Sequence, residues 1–465
     1  MDFYLLYLRY LQIVMSNKKP NIPKGMRDFT SEVMFRRNYI FNIIKDSFER
    51  YGYAPIETPT MENISTLSGK YGDAGDRLIF KVLNSGDFLS KSKISESTTS
   101  QSLSKEISDK ALRYDLTVPF ARFVSQNRSD ITFPFKRYQM QNVWRADKPQ
   151  KGRYREFYQC DADVIGTASL LCEIELIQLC DDIFTNLKIP KINICINNRK
   201  ILSGMVDIMG AKNLFDDIVI TLDKLENIGL DKVKKELLSK GLEEDALNIL
   251  EDFLNAKDVN DLSSLLLQSE VGKKGVDELK FVVDTVNKVS LQSANLVVDV
   301  SLARGLDYYT GCIFEVKSDG VSIGSLGGGG RYDDLTSIFG LKDISGVGIS
   351  FGVDRIYLVM QESDLFPKNL ELGTKVMFIN FGDNEANYCL SLLKELRLNG
   401  ISSELYPKTV KMSKQMNYAN DKGVKYVVMV GEDEMKSGIL TLKDMNSGVQ
   451  DKLSPSELIK RLSNE

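Results

Sequence analysis

The stretch RGLDYYTG, Arg304 to Gly311, sets a cation, a carboxylate and two adjacent phenols beside a β-like run, CIFEV. The glycine-rich GGGGRYDD follows from Gly327. A guanidinium suits a phosphate or carboxylate, phenols suit a ring, and glycines let backbone approach a ligand closely. The glycine run is neither a Walker A loop nor a dinucleotide fingerprint. By itself it reads equally well as a β-turn. Arg113, Arg145 and Arg355 also recur in structured surroundings. Arg145 follows Trp144 at a predicted strand end, and Arg355 lies inside the apolar VGISFGVDRIYLV. Those placements suit a phosphate contact as well as an ion pair. Asp115, Asp161 and Asp163 fall on predicted strands. Alternation puts Gln159, Asp161 and Asp163 on one face, a row of acceptors suited to a polar, cationic small molecule.

Composition narrows the chemistry. The chain has no histidine, which excludes Ser-His-Asp and Cys-His nucleophiles and every His-ligated metal. Catalysis must then come from positioning and electrostatics, or from carboxylates working with ATP-bound Mg²⁺; no protein-bound metal is expected. The 6 cysteines form no C-x-x-C pair and read as reduced core residues in a cytosol-like compartment. Net charge is −4, so any nucleic-acid contact must use local patches. The opening run MDFYLLYLRYLQIVM is shorter than the ~20 residues of a membrane span and is broken by Arg9. It reads as an extension ahead of a start at Met15.

The positioning elements follow from periodicity. With 465 residues the chain suits two or three domains. Ser31 to Arg50 carries apolar residues at helical spacing and ends before Gly52, while YAPIETPTM reads as a strand broken by prolines. Residues 84–108 are Ser- and Lys-rich and read as a flexible surface loop. FPFKRYQMQNVWRAD and REFYQCDADVIG predict a long hairpin around a mobile tip, KPQKGRY. LLCEIELIQLCDDIFTNL predicts a helix. Short amphipathic helices fill roughly 200–290, and strands return at Ala294. SGVGISFGVDRIYLVM is a strand opening a helix. The end of the chain reads βαβαβ.

These segments together resemble the class II aminoacyl-tRNA synthetases, and among them the histidyl-tRNA synthetase family. The resemblance covers nearly the whole chain from about Pro20. PKGMRDF is similar to the family's N-terminal signature, and the helix ending in YGYAPIETPT to motif 1, which builds the dimer interface. LRYDLTVPFARF with WRADKPQKGRYREFYQCDADV resembles motif 2 and its approach. RGLDYYTG resembles the histidine-specific signature, and GVGISFGVDRI motif 3. Asp115, Asp163 and Asp354 stand where relatives often carry Glu.

The resemblance implies an α/β fold whose α+β catalytic core is an antiparallel sheet flanked by helices. It implies a core at 20–199 and 291–368, a helical insertion at 200–290 and an α/β anticodon-binding domain at 372–465, with 1–19 an extension. It implies that Asp115, Leu116 and Thr117 hold the α-amino group of L-histidine with Gln159 beside them. Asp163 and Tyr309 would contact the imidazole, with Tyr308 lining the pocket. Arg145 would bind the α-phosphate of ATP, Arg304 would bridge substrate carboxylate and α-phosphate, and Arg355 would contact the ATP tail. Lys148, Gln150 and Arg155 would meet the tRNA acceptor end. The implied protein is a cytoplasmic homodimer that charges tRNA(His). The alternative is a regulatory relative that senses histidine without charging tRNA; such relatives lose the arginines or the last domain. A chain free of histidine can be made while its own product is scarce, or the absence is drift; residue types alone leave both open.

Overall fold

The helix expected at Ser31–Arg50 forms over those residues. Its inner stripe includes Ile40, Ile44 and Phe48, all fully buried, the spacing that a 3.6-residue period demands. Each such side chain contributes about 1.5–3 kcal/mol through burial. Gly52 follows at φ +79°, a left-handed turn that suits a residue without Cβ.

The computed structural model describes residues 20–90, 92, 95, 98–303, 308–321, 323–367, 370 and 373–464. The N-terminal extension (1–19) and Arg304 lie outside the described residues. Two units divide the chain: 20–28 with 39–365, and 29–38 with 366–464.

The first unit carries strands β1 (Ala54–Pro55), β2 (Met61–Asn63), β3 (Lys81–Val82), β4 (Lys110–Leu112), β5 (Phe135–Trp144), β6 (Glu156–Ile165), β7 (Ile192–Asn198), β8 (Asn295–Val298), β9 (Cys312–Ser318), β10 (Gly327–Tyr332) and β11 (Gly346–Gly352). Eight of them form one sheet in the order β1-β5-β6-β11-β10-β9-β7-β8. Its edge pairs β1–β5 and β7–β8 are parallel, and the ladders between are antiparallel. β2, β4 and β3 make a small second sheet. The helix Leu171–Asn186 packs on β7 and β11. Arg331, on β10, reaches Glu173 of that helix through Nε–Oε1 at 2.5 Å and Nη2–Oε2 at 2.6 Å. Its remaining donors go to Thr167 O, Ser169 O and Ser345 Oγ. This buried fork is fully satisfied, so it fixes strand to helix at no unpaired cost.

Helices fill the chain between β7 and β8, from Arg199–Ile208 to Glu270–Val289. Those two pack glycine on glycine: a Cβ on Gly204 would lie 2.5 Å from Gly272 Cα. The second unit holds β12 (Val376–Phe378), β13 (Ser403–Leu405), β14 (Tyr426–Met429), β15 (Leu440–Asp444) and β16 (Gln450–Leu453), in the order β13-β12-β14-β15-β16. Phe378, Leu393 and Val428 are at its core.

Several expectations need correction. The stretch 84–108 is not all loop: Ser100–Ile107 is a helix, started by a capping box between Thr99 and Ser102. Its polar composition hid it, but the cap satisfies end N–H groups locally. GGGGRY is a strand rather than a turn, because the β9 and β11 ladders hold it on both sides. YAPIETPTM is not one strand; its ends join two different sheets. The terminal βαβαβ continues into the antiparallel β15 and β16 and the helix Pro455–Ser463. All six cysteines are free, with Cys172 half-buried and the others buried. No helix among the described residues is long and apolar enough to cross a membrane.

Candidate functional site

The site is built on one face of the large sheet. Residues paired directly across a ladder point to the same side. β5 and β6 pair Arg137 with Asp163, Gln139 with Asp161 and Gln141 with Gln159. β6 and β11 pair Asp163 with Gly348, Asp161 with Ser350 and Gln159 with Gly352. β10 then sets Gly330 beside Gly348 and Gly328 beside Ser350. A row of polar side chains therefore borders a floor of glycines. Space dictates those glycines: a Cβ on Gly348 would collide with the Asp163 carboxylate, and one on Gly330 would lie 2.9 Å from the Tyr309 ring.

Both oxygens of Asp163 are engaged. Tyr332 Oη donates to Oδ1 at 2.7 Å, and Arg137 Nη2 lies 2.7 Å from Oδ2. Arg137 is wholly buried and lies on the Phe120 ring at 4.3 Å. Burial raises the Asp163 carboxyl, with Arg137 opposing. Asp161, two residues back, is pushed up to about 7 by burial, against Arg137 and with Asp163. Asp161 Oδ1 and Gln159 Oε1 are buried without a protein partner, while Gln159 Nε2 donates to Ser350 Oγ at 3.0 Å.

A second carboxylate centre stands at the start of the helix Thr117–Gln126. Asp115 is buried and accepts from Tyr71 Oη at 2.9 Å, Val118 N at 3.2 Å and Tyr308 Oη at 3.3 Å. Burial raises its carboxyl, and Arg145 opposes that. The helix N-terminus adds a partial positive field. Thr117 opens that helix beside Asp115. Leu116 is wholly buried. Tyr308 and Tyr309 pack edge-on with centroids 5.0 Å apart.

Arg145 stands just past β5. Its Nε donates to Tyr114 O at 3.0 Å, and its guanidinium lies 4.3 Å from the Tyr114 ring centroid. Arg355 starts the helix Val353–Glu362 and donates to Gly152 O at 3.0 Å and Ser325 O at 2.7 Å. The tip between β5 and β6 is pinned: Arg155 N donates to Gly25 O at 2.8 Å, Arg155 Nε to Asp147 O at 3.0 Å, and Arg153 pairs with Asp147. Lys148 and Gln150 are exposed there, whereas Arg155 is half-buried. Among the described residues no group of three or more Cys, Asp or Glu side chains is set to hold a metal.

The structure thus gathers Gln159, Asp163, Tyr308, Tyr309, Asp115 and Thr117 around one sheet face. It also adds residues that the sequence left unmarked. Tyr71, Arg137, Tyr332 and Ser350 all touch the gathered carboxylates or Gln159. None of these carried a local sequence signal, because each meets its partner from another strand or a distant segment.

Comparison with known proteins agrees with this architecture. A family model described as histidyl-tRNA synthetase matches residues 88–356, and one described as an anticodon binding domain matches 375–465. A histidine–tRNA ligase of Christiangramia forsetii is 54% identical over 94% of this chain and 97% of its own. One of Phocaeicola vulgatus is 52% identical over 95% and 98%. The crystal structure of histidyl-tRNA synthetase from Nostoc sp. PCC 7120 superposes with a TM-score of 0.80 at 28% identity, over 96% of this chain and all of that one. Sequence and fold agree along nearly the full length, and the chain belongs to the histidyl-tRNA synthetase family.

Proposed function

We propose that the protein is a histidine–tRNA ligase. The observation that carries this reading is the polar sheet face, where buried acidic and phenolic groups border a glycine floor. In the first step a carboxylate oxygen of L-histidine attacks the α-phosphorus of ATP, and the bond to pyrophosphate breaks. The attacking carboxylate is already ionised near neutral pH, so no protein base is required, and a chain without histidine loses nothing. In the second step a ribose hydroxyl at the 3′ end of tRNA(His) attacks the activated carbonyl, and AMP leaves.

The residues divide the work as follows. Asp115, the Leu116 backbone and Thr117 receive the α-ammonium, with Gln159 beside them. Asp163, Tyr309 and Tyr308 form the imidazole end. Arg145 holds the α-phosphate, Arg304 spans carboxylate and phosphate, and Arg355 meets the ATP tail. Holding two anions together and offsetting the charge that develops is the main catalytic contribution. ATP enters as its Mg²⁺ complex, which supplies further neutralisation. Buried acceptors left unpaired by an apolar analogue reject it by up to ~10⁴-fold. Lys148 and Gln150 at the exposed tip, with Arg155 at its base, meet the acceptor end of tRNA.

The catalytic core comprises 20–199 and 291–368, with 200–290 inserted and 372–465 reading the anticodon region. The protein works as a cytoplasmic homodimer. A histidine sensor without charging activity has less support, because Arg145, Arg355 and the final domain are all retained. The test is charging of tRNA(His) transcript with labelled amino acids. Acid-precipitable label from histidine, dependent on ATP, is expected; none from folded protein would overturn the reading.

A further inference from the structure

We propose that Arg199 is a positioning residue for the activation step: it joins the inserted helices to the chain entering Arg304 and holds that entry in place. This rests on the ligase reading above and deepens it. Arg199 opens the helix Arg199–Ile208, directly after β7. Its backbone N donates to Gly311 O at 2.9 Å, and its Nη1 donates to Ala303 O at 3.4 Å. One residue thus touches both ends of the stretch between Ala303 and Gly311. Its guanidinium also lies 5.2 Å from the centroid of the Phe215 ring, which starts the helix Phe215–Leu222 of the insertion.

The two ends are held unequally. On the leaving side, Thr310 N donates to Arg331 O at 2.8 Å and Thr310 Oγ1 to Asp333 Oδ2 at 2.7 Å. Tyr309 there packs on Cys195, Leu302 and Ile313. On the entering side, Asn197 is wholly buried and donates through Nδ2 to Val300 O at 3.2 Å and Leu302 O at 2.9 Å. The next carbonyl belongs to Ala303, which is only 2% exposed. A buried carbonyl needs a donor, and the Arg199 side chain supplies one. Ala303 directly precedes Arg304. Removing that donor therefore frees the chain beside the arginine and leaves the tyrosine end fastened. A misplacement of about 1 Å in a group that meets the transition state costs up to about 100-fold in rate. Asp163 stands on β6 and Asp115 ahead of the helix Thr117–Gln126, so the histidine contacts are built elsewhere. Loss of Arg199 should then lower kcat and leave KM nearly unchanged.

The experiment is histidine-dependent ATP–pyrophosphate exchange, without tRNA, by wild type, Arg199→Ala and Phe215→Leu, with thermal unfolding of all three. Arg199→Ala keeps the backbone bond to Gly311 and is expected to lower kcat about 10- to 100-fold. KM for histidine and for ATP should stay within about twofold, and the unfolding midpoint within about 3 °C. Phe215→Leu keeps an apolar side chain but removes the ring that seats the guanidinium. It should lower kcat about 2- to 5-fold with both KM values unchanged, and it decides the question should Arg199→Ala not fold. An unchanged kcat in Arg199→Ala, or a raised KM for ATP with kcat kept, would overturn the proposal; the second would mean that Arg199 meets the nucleotide itself. A kcat that falls only in step with the folded fraction would also overturn it and mark Arg199 as structural. Full activity in Phe215→Leu would overturn the part given to the insertion. Absence of histidine exchange in the wild type would instead overturn the ligase reading, and the two failures are distinguishable.

Discussion

Gly348 shows how closely the residues of the site are fitted. Adding a methyl there would drive it into the Asp163 carboxylate, which Tyr332 and Arg137 hold from two sides. Overpacking of this kind costs about 1–3 kcal/mol. Gly348→Ala is expected to lower stability by that amount in chemical denaturation and to raise KM for histidine at least about tenfold, since a displaced carboxylate weakens a charged contact. Normal kinetics in a stable variant would mean that Asp163 does not need its observed place. The acidic row was legible at this scale: period-2 alternation alone placed Gln159, Asp161 and Asp163 on one face. Arg137 was not, because a lone arginine on a strand gives no sign that it will be fully buried as a carboxylate's partner. Tyr71 reaches Asp115 across 44 residues of chain, and no local pattern encodes such a contact.

Among the elements, the β5–β6 hairpin was legible and its tip was not. Pro, Gly and basic residues suggested mobility, but the tip is clasped by the segment around Gly25. Gly25 adopts φ +86°, and a Cβ there would lie 2.8 Å from Pro149 Cγ and 2.9 Å from Arg155 Cγ. Arg27 extends the clasp by pairing with Asp354 at 2.6 Å and covering the Tyr154 ring at 3.3 Å. Gly25→Ala should therefore loosen the tip without touching the acidic row. The expected outcome is a KM for tRNA raised several-fold in charging, with the exchange constants for histidine and ATP within about twofold, because the clasp leaves the sheet intact. Equal loss in both assays would show that the tip serves activation rather than tRNA. The glycine strand β10 was opaque for a different reason. Glycine carries almost no strand preference, so its conformation comes from β9 and β11, which are distant from any local window.

The chain folds as two units, one built on a polar, largely antiparallel sheet and one α/β, and resemblance along the chain made that plan legible. The terminal helix Pro455–Ser463 lies beyond the βαβαβ pattern, although Ser454 and Glu457 spell a capping box with Pro455 in the first turn. The molecule also works without histidine, which leaves positioned arginines and carboxylates as the available chemistry. This apparatus should activate histidine and no other amino acid. Its most direct test is ATP–pyrophosphate exchange with each of the standard amino acids in turn, using wild type and Arg145→Ala. Exchange is expected with histidine alone, reduced at least about 100-fold in the variant, as follows when a donor to developing charge is removed. Exchange with a different amino acid, or none from folded wild-type protein, would contradict it.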